Sequence, residues 1–162
     1  MSVTDELVAN NENYAANFPG PWPMAPAKPA AVLACMDARV NLYGALGLHE
    51  GDVHLLRNAG GVVTDDVIRS LAISQRLLGT REIVLVHHSD CGMLTFNDQD
   101  FASSIKADTG EEPGWAAESF TDIDADVRSS IERIKSSKFV PHTDQIRGFI
   151  LDVETGRLRE VS

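Results

Sequence analysis

The clearest pattern in the chain is a set of short apolar runs, each followed by polar or glycine-rich residues. Two unbroken runs occupy 31–34 and 83–86, and mainly apolar stretches lie at 53–56 and 146–153. Apolar runs without polar alternation are typical of strands covered on both faces in a parallel sheet. We therefore predict four strands in an α/β fold with a mainly parallel central sheet flanked by helices.

The segments between these runs carry helix signals. Thr64 is a suitable N-cap for a strong helix that ends at Gly79, and this helix completes a β-α-β unit. Asn97 predicts the start of another helix that ends before Gly110, and residues 111–121 are predicted to form a loop. A short helix is expected after Arg39, and a last long one has apolar residues at helical spacing: Ile123, Val127, Ile131 and Ile134. The pattern predicts one domain over residues 1–162.

Residues 1–29 differ from the remainder of this domain. Residues 3–18 have helical spacing, with Thr4 as a suitable N-cap, but too few apolar positions for a core helix. Residues 20–29 contain four prolines, which predicts an extended connector. A helix that lies across a partner subunit and a loosely held terminal helix are equally consistent with this pattern.

Charge and composition narrow the function classes. The chain has 162 residues, and 14 basic against 24 acidic residues give a net charge of −10. Because the chain has no basic run, nucleic acid and anionic membranes are poor candidate partners for it. No apolar run approaches the roughly 20 residues of a membrane span, and the polar N-terminus does not resemble a signal peptide, so we predict a cytoplasmic protein. In a reducing compartment, the two cysteines favour metal binding or thiolate catalysis over a disulfide.

Both cysteines directly follow predicted strands. Cys35 comes after the run 31–34, and Cys91 follows a second strand that ends in His87 and His88. The carboxyl ends of neighbouring parallel strands meet at one edge of a sheet, where open α/β folds place their ligands. Thiolate and imidazole are preferred zinc ligands, and three of them leave a fourth position open for chemistry. The sequence thus predicts a zinc site with two cysteines and one of the two histidines.

Charged and glycine residues near these ligands predict further parts of the site. Asp37 lies two residues after Cys35, where its carboxylate can accept a hydrogen bond from a hydroxide on the metal. Arg39 can pair with this carboxylate, keep it ionised and hold it off the metal. Gly60 permits close backbone approach beside the metal, and we assign Gly60 and Gly92 to the substrate pocket.

Three blocks of the sequence resemble the signature blocks of the β-class carbonic anhydrases, in the same order. They are Cys35-x-Asp37-x-Arg39, Arg57-Asn58-Ala59-Gly60-Gly61 and His88-x-x-Cys91-Gly92-Met93. The resemblance spans about residues 31–93, and the combination is far more specific than any one block.

The resemblance has implications for the site, the reaction and the assembly. It implies one Zn²⁺ per subunit held by Cys35, His88 and Cys91, with the Asp37–Arg39 dyad at the fourth position. It implies reversible hydration of CO₂ to bicarbonate and a proton by a zinc-bound hydroxide. It also implies a homodimer, or a dimer of dimers, with clefts at the subunit boundary. In some relatives the aspartate replaces water on zinc at lower pH, so Asp37 is expected to be a ligand in a closed state.

Three other functions can be considered from the sequence. The same zinc site can hydrolyse carbonyl sulfide or carbon disulfide, which are isosteres of CO₂. A purely structural zinc would require a fourth Cys or His nearby, and a redox role for Cys35 and Cys91 would lack the usual Cys-x-x-Cys spacing. His87 is next to a ligand, but successive strand residues face opposite sides, so we expect it to be a packed core residue and not a proton relay.

Overall fold

The structure, a computed structural model, describes residues 2–162, and Met1 of the predicted domain lies outside them. Its strands are β1 (Ala30–Cys35), β2 (His54–Asn58), β3 (Glu82–His88), β4 (Ile146–Leu151) and β5 (Leu158–Val161). Its α-helices are α1 (Val3–Ala16), α2 (Leu42–Leu46), α3 (Asp65–Leu78), α4 (Asp98–Thr109) and α5 (Ile123–Lys135). Short 3-10 turns occupy Ala59–Gly61 and Gly92–Leu94.

The five strands form one sheet in the order β2-β1-β3-β4-β5. The first four are parallel, and β5 runs antiparallel to β4. Leu33 of β1 pairs with Leu56 of β2 on one side and with Leu85 of β3 on the other. The mainly parallel α/β sheet predicted from the apolar runs is therefore confirmed, and the carboxyl ends of β1, β2 and β3 share one edge.

Apolar side chains on both faces of the sheet explain why its strands lack polar alternation. One cluster joins Leu33 and Leu85 to Leu71 of α3 and Ile134 of α5. The other contains Val32, Ala34, Val40, Leu42, Val86 and Leu151. Burial of apolar surface on both faces stabilises the sheet and holds the carboxyl ends of its strands in place.

The predicted helix boundaries follow from capping residues. The Thr64 side chain accepts a hydrogen bond from the Val67 amide at 3.3 Å, and Gly79 ends α3 in a left-handed conformation with φ 78°. Asn97 caps α4 in the same way, and Gly110 ends it. These boundaries were predicted correctly because capping depends on nearby residues in the sequence.

Strand ends were predicted less well. β2 begins at His54 and not at 53, and it continues to Asn58 because its polar residues keep pairing with β1. β4 ends at Leu151, two residues before the predicted end. The strand β5, which was not predicted, follows β4, and within it only Val161 is buried. A single buried side chain leaves no pattern of alternation in the sequence.

The first helix lies apart from the core. The Ser2 hydroxyl, and not Thr4, caps α1 by accepting from the Asp5 amide at 3.1 Å, and the helix ends two residues before the predicted Phe18. No residue of α1 is buried, as expected for a helix outside the core. The Tyr14 hydroxyl donates to Glu50 at 3.0 Å. Among the helices within 2–162, none has the length and apolarity needed to cross a membrane.

Candidate metal centre

Three predicted ligands meet at the carboxyl edge of the sheet. Cys35 ends β1, His88 ends the neighbouring β3, and Cys91 follows in the turn after β3. The two sulfur atoms and a ring nitrogen all lie within 4.8 Å of one another. All three residues are buried, and neither cysteine forms a disulfide. The parallel pairing of β1 and β3 brings these distant positions together.

The His88 ring is oriented as a metal ligand requires. Its Nδ1 lies 2.7 Å from the Ser89 carbonyl oxygen, to which it donates, so Nε2 keeps its lone pair. This Nε2 is buried and has no hydrogen-bond partner among the described residues. A buried acceptor left without a partner is costly unless something binds it, and a backbone acceptor on the other ring nitrogen is typical of metal-binding histidines.

The two thiols complete a donor set that suits a soft or borderline cation. The two thiols lie next to each other, and this proximity lowers the pKa of one member of the pair and raises that of the other. The pair thus shares a proton that a bound cation would displace. Two sulfurs and one imidazole nitrogen fit Zn²⁺, and within residues 2–162 the cluster has three members, as in zinc sites that keep a position open.

The predicted Asp37–Arg39 pair is present beside these ligands. Arg39 donates from Nε to Asp37 Oδ1 at 3.0 Å and from Nη2 to Oδ2 at 2.8 Å. These hydrogen bonds hold the pKa of the Asp37 carboxyl well below its usual range. The same Oδ2 lies 3.7 Å from Nε2 of His88. An ionised acceptor therefore sits next to the nitrogen that faces the cysteines.

Arg39 also bonds to the second ligand-bearing segment. Its Nη1 donates to Asp90 Oδ2 at 2.8 Å, and its Nη2 donates to the Asp90 carbonyl at 3.0 Å. Asp90 lies between His88 and Cys91 in a left-handed conformation with φ 53°. One guanidinium thus ties the turn after β3 to the residues after β1. No local pattern in the sequence indicates this contact, which joins residues 51 positions apart.

Arg57 of β2 forms a second support, which was not predicted from the sequence. Its Nε and Nη2 both donate to the Cys35 carbonyl, at 2.9 and 2.7 Å, and Nη2 also donates to the Asp37 carbonyl at 2.7 Å. These bonds fix the backbone on both sides of residue 36. The feature of the sequence that could have indicated this role is the position of Arg57 in the block 57–61.

The glycine turn after β2 packs against the same ligands. A Cβ on Gly61 would lie 2.8 Å from the amide nitrogen of Cys35, and one on Gly60 would lie 2.9 Å from Met93 Cγ. Both residues also have positive φ, so glycine is required here both by the backbone conformation and by the lack of space for a side chain. Gly92 also borders the site, but a Cβ there would meet nothing within 4 Å.

A cavity of about 560 Å³ opens beside the cluster. Its lining includes Asp37 together with Gly60 and Gly92, the two predicted pocket residues. Most of the lining is apolar and comes from Val62, Met93, Phe96, Phe101 and Trp115. The Phe101 ring lies 5.3 Å from that of Phe96 and 6.4 Å from that of Trp115. These aromatic residues were not assigned to the site from the sequence, because nothing local links them to it.

His87 lies on the face of β3 opposite to His88, as predicted. It is 1% exposed and its Nε2 lies 2.7 Å from Asp126 Oδ2 of α5. His87 is therefore a packed core residue and does not belong to the cluster of three ligands.

Comparisons with known proteins agree with this geometry. The family model described as carbonic anhydrase matches residues 30–158. The chain is 58% identical over 162 residues to beta-carbonic anhydrase 1 of Mycobacterium tuberculosis, covering 100% of this chain and 99% of that protein. It is 35% identical over 153 residues to carbon disulfide hydrolase of an Acidianus species, covering 80% and 75%. The crystal structure of carbonic anhydrase from Streptococcus mutans superimposes with a TM-score of 0.92 at 44% identity, covering 100% and 99%.

Proposed function

The chain belongs to the β-class carbonic anhydrases, and from that premise we propose that it is a zinc enzyme that reversibly hydrates CO₂ to bicarbonate and a proton. The single observation that carries this proposal is the convergence of Cys35, His88 and Cys91 beside an ionised Asp37. Zinc held by these three residues would supply the Lewis acid that makes water nucleophilic near neutral pH, a role that carbonic anhydrases exemplify.

The proposed role of Asp37 is to orient the reacting water. Arg39 occupies both carboxylate oxygens, keeps the group ionised and directs it toward the ligand cluster. A carboxylate that stays ionised accepts a hydrogen bond from water and cannot donate one, so it selects the orientation in which an oxygen lone pair is free to attack. Arg39 is accordingly assigned to positioning of Asp37.

The apolar cavity supports a small neutral substrate. Val62, Met93 and Phe96 offer no strong hydrogen-bonding groups, so a molecule such as CO₂ loses little hydration on entering. Cys35, Asp37 and Cys91 line the same cavity, so the proposed metal position adjoins it. This arrangement brings an apolar substrate against an activated water without binding the substrate tightly, which favours turnover over ground-state binding.

The decisive experiment measures zinc content and stopped-flow CO₂ hydration on one purified sample. We expect about one zinc per chain and rapid hydration, and metal-loaded protein without hydration would overturn the proposal.

Asp37→Asn should retain zinc but lower kcat by about 10- to 100-fold, because one hydrogen bond to a charged group is worth roughly 1.5–3 kcal/mol. Asp124→Asn is a matched control, because Asp124 is also held by two hydrogen bonds from an arginine, Arg159, but lies away from the site. Equal kcat in both variants would remove the proposed role of Asp37.

A second candidate function is hydrolysis of carbonyl sulfide or carbon disulfide at the same site. The specific support is the 35% identity to a carbon disulfide hydrolase, together with a cavity whose apolar walls suit sulfur atoms. Release of H₂S from either compound, measured beside CO₂ hydration, distinguishes the two. A kcat/KM for H₂S release above that for CO₂ hydration would make this second function the principal one.

A closed state is also proposed, in which Asp37 becomes the fourth metal ligand at lower pH. Its support is the position of the carboxylate, with Oδ2 3.7 Å from His88 Nε2, and the presence of Arg39 as an alternative partner. Metal coordination measured by X-ray absorption across pH tests this state. A coordinating water retained at every pH would exclude it.

We further propose a cytoplasmic homodimer, or a dimer of such dimers. The support is the N-terminal segment, whose apolar side chains contact little of their own chain: Val3, Leu7, Val8, Phe18 and Trp22 are between 46% and 73% exposed. A second copy of the chain is the simplest cover for such a surface. Light scattering on the full chain, compared with Leu7→Glu, should show a dimer that the substitution weakens, and a monomeric wild-type protein would contradict the assembly.

A further inference from the structure

The buried His87 has one hydrogen-bond partner in the structure. Its Nε2 contacts Asp126 of α5 at 2.7 Å, whereas Nδ1 is buried with no partner in the part of the chain described. The ring is 1% exposed, so water does not replace a lost bond easily. The Asp126 carboxylate therefore supplies the one hydrogen bond that orients this ring, while its own side chain remains 21% exposed.

The contact between His87 and Asp126 lies at the end of β3, beyond the last residue that pairs with β1. The register between β1 and β3 ends at the pair Ala34 and Val86. His87 and His88 continue to pair with β4, where His88 lies opposite Leu151. The last two residues of β3 are therefore held by the sheet on one side, and the side chain of His87 adds a tether to α5 at the same point. Because His87 and His88 share a peptide bond, restraint of one restrains the other.

A second path from His87 to the metal centre passes through Phe120. The two rings have centroids 5.6 Å apart. Phe120 is 8% exposed and packs in one cluster with Cys35, Cys91 and Met93, and its amide donates to the Met93 carbonyl at 3.3 Å. A shift of the His87 ring would therefore act on the residue that packs against both thiol ligands.

We infer that His87 and Asp126 are positioning residues, which fix the end of β3 and so the direction in which His88 presents Nε2 to the metal. The inference rests on the proposed metal site. The bond requires a donor on His87 and an acceptor on residue 126, and it does not require a charge on either. A neutral acceptor of the same shape should therefore preserve it, whereas truncation should not.

The test uses full-length protein loaded with Co²⁺, whose absorption bands report coordination geometry, together with the rate of Zn²⁺ release to a chromogenic chelator. Asp126→Ala should shift the cobalt bands and speed zinc release by about tenfold, the scale on which hydrogen-bond partners of ligating side chains act. Asp126→Asn keeps an acceptor oxygen and should restore both readouts. Asp124→Ala removes another carboxylate from α5, one that binds Arg159, and should leave both unchanged.

His87→Phe provides a second variant if Asp126→Ala does not fold. Phenylalanine keeps a ring against Phe120 but cannot donate to Asp126, and it should produce the same cobalt shift and faster release. Wild-type cobalt bands and release rates in Asp126→Ala or His87→Phe, even with a lower melting temperature, would overturn the inference, because the pair would then only stabilise the fold. A shifted cobalt spectrum in a protein whose wild type hydrates no CO₂ would instead refute the proposed function alone.

Discussion

Gly61 provides a quantitative test of how closely the turn after β2 packs on the metal centre. Its φ is +66°, and a Cβ there would lie 2.8 Å from the Cys35 amide nitrogen and 3.0 Å from the Ala34 carbonyl carbon. Both atoms belong to the backbone of β1, which is held in the sheet between β2 and β3. Neither can move as the tip of a flexible side chain would, so Gly61→Ala should displace the strand that carries the proposed ligand Cys35.

Two costs add in this variant. An L-residue in the left-handed region costs roughly 1–2 kcal/mol, and relief of an overpacked contact costs about 1–3 kcal/mol. We therefore expect Gly61→Ala to lower the free energy of unfolding by about 2–5 kcal/mol, which is a large share of the stability of a typical domain. The displacement of Cys35 should also accelerate zinc release.

Gly79→Ala separates the two costs. Gly79 also has positive φ, at +78°, but a Cβ there would meet nothing within 4 Å. This variant should show the backbone cost alone. Urea unfolding of the metal-loaded proteins at one protein concentration gives both values, and the common concentration removes any effect of assembly. Equal destabilisation by the two substitutions, with equal rates of zinc release, would refute close packing of Gly61 on β1.

Two further substitutions test the fold around the site. Gly148→Ala places a Cβ against Val127 of α5 and should lower the free energy of unfolding by about 1–3 kcal/mol. In the control Gly114→Ala, the added Cβ meets nothing within 4 Å, so the free energy of unfolding should change little. Equal urea midpoints for the two variants would contradict close packing of Gly148 on α5. Asp98 accepts hydrogen bonds from Ser119, and these bonds hold the pKa of its carboxyl below the usual range. Its stabilising effect is therefore complete above about pH 3.9, the pKa of an aspartate in an unfolded chain, and is lost as the pH falls through the lower pKa of the folded state. Asp98→Asn should therefore destabilise the protein at pH 7 and progressively less below pH 4, and a deficit that is constant with pH would contradict this.

The sequence predicted those parts of the molecule that depend on local patterns or on strand order. Apolar runs identified β1 and β3, and the rule that parallel strands share a carboxyl edge placed Cys35 beside Cys91 although 56 positions separate them. Alternation along β3 was enough to predict that His87 points away from His88 and packs in the core, and its burial against α5, with a bond to Asp126, agrees with that prediction.

The missed features are polar contacts between distant segments. Asp90 binds Arg39 and Asp126 binds His87, but the hydrogen-bonding partner of a charged residue leaves no periodic signal in a sequence. The aromatic wall of the cavity was missed for a related reason. Trp115 lies in a loop whose course is fixed by tertiary packing, and the backbone around Glu118 adopts a left-handed conformation with φ 62°. Local propensity does not predict such a conformation for glutamate.

The charges around the cavity favour a neutral substrate and an anionic product that leaves. Arg39 carries one positive charge between the carboxylates of Asp37 and Asp90, and Arg57, which donates to the Asp37 carbonyl, adds a second, so these four residues have no net charge. Screening limits charge interactions to about 8 Å at physiological ionic strength, which makes this local group more important for a small anion than the overall charge of −10. CO₂ is neither attracted nor repelled by such a group, and bicarbonate gains no net attraction from it. Because the charge of Arg39 is already paired with two carboxylates, it holds an anionic product weakly, and the residues that position Asp37 thereby also favour product release.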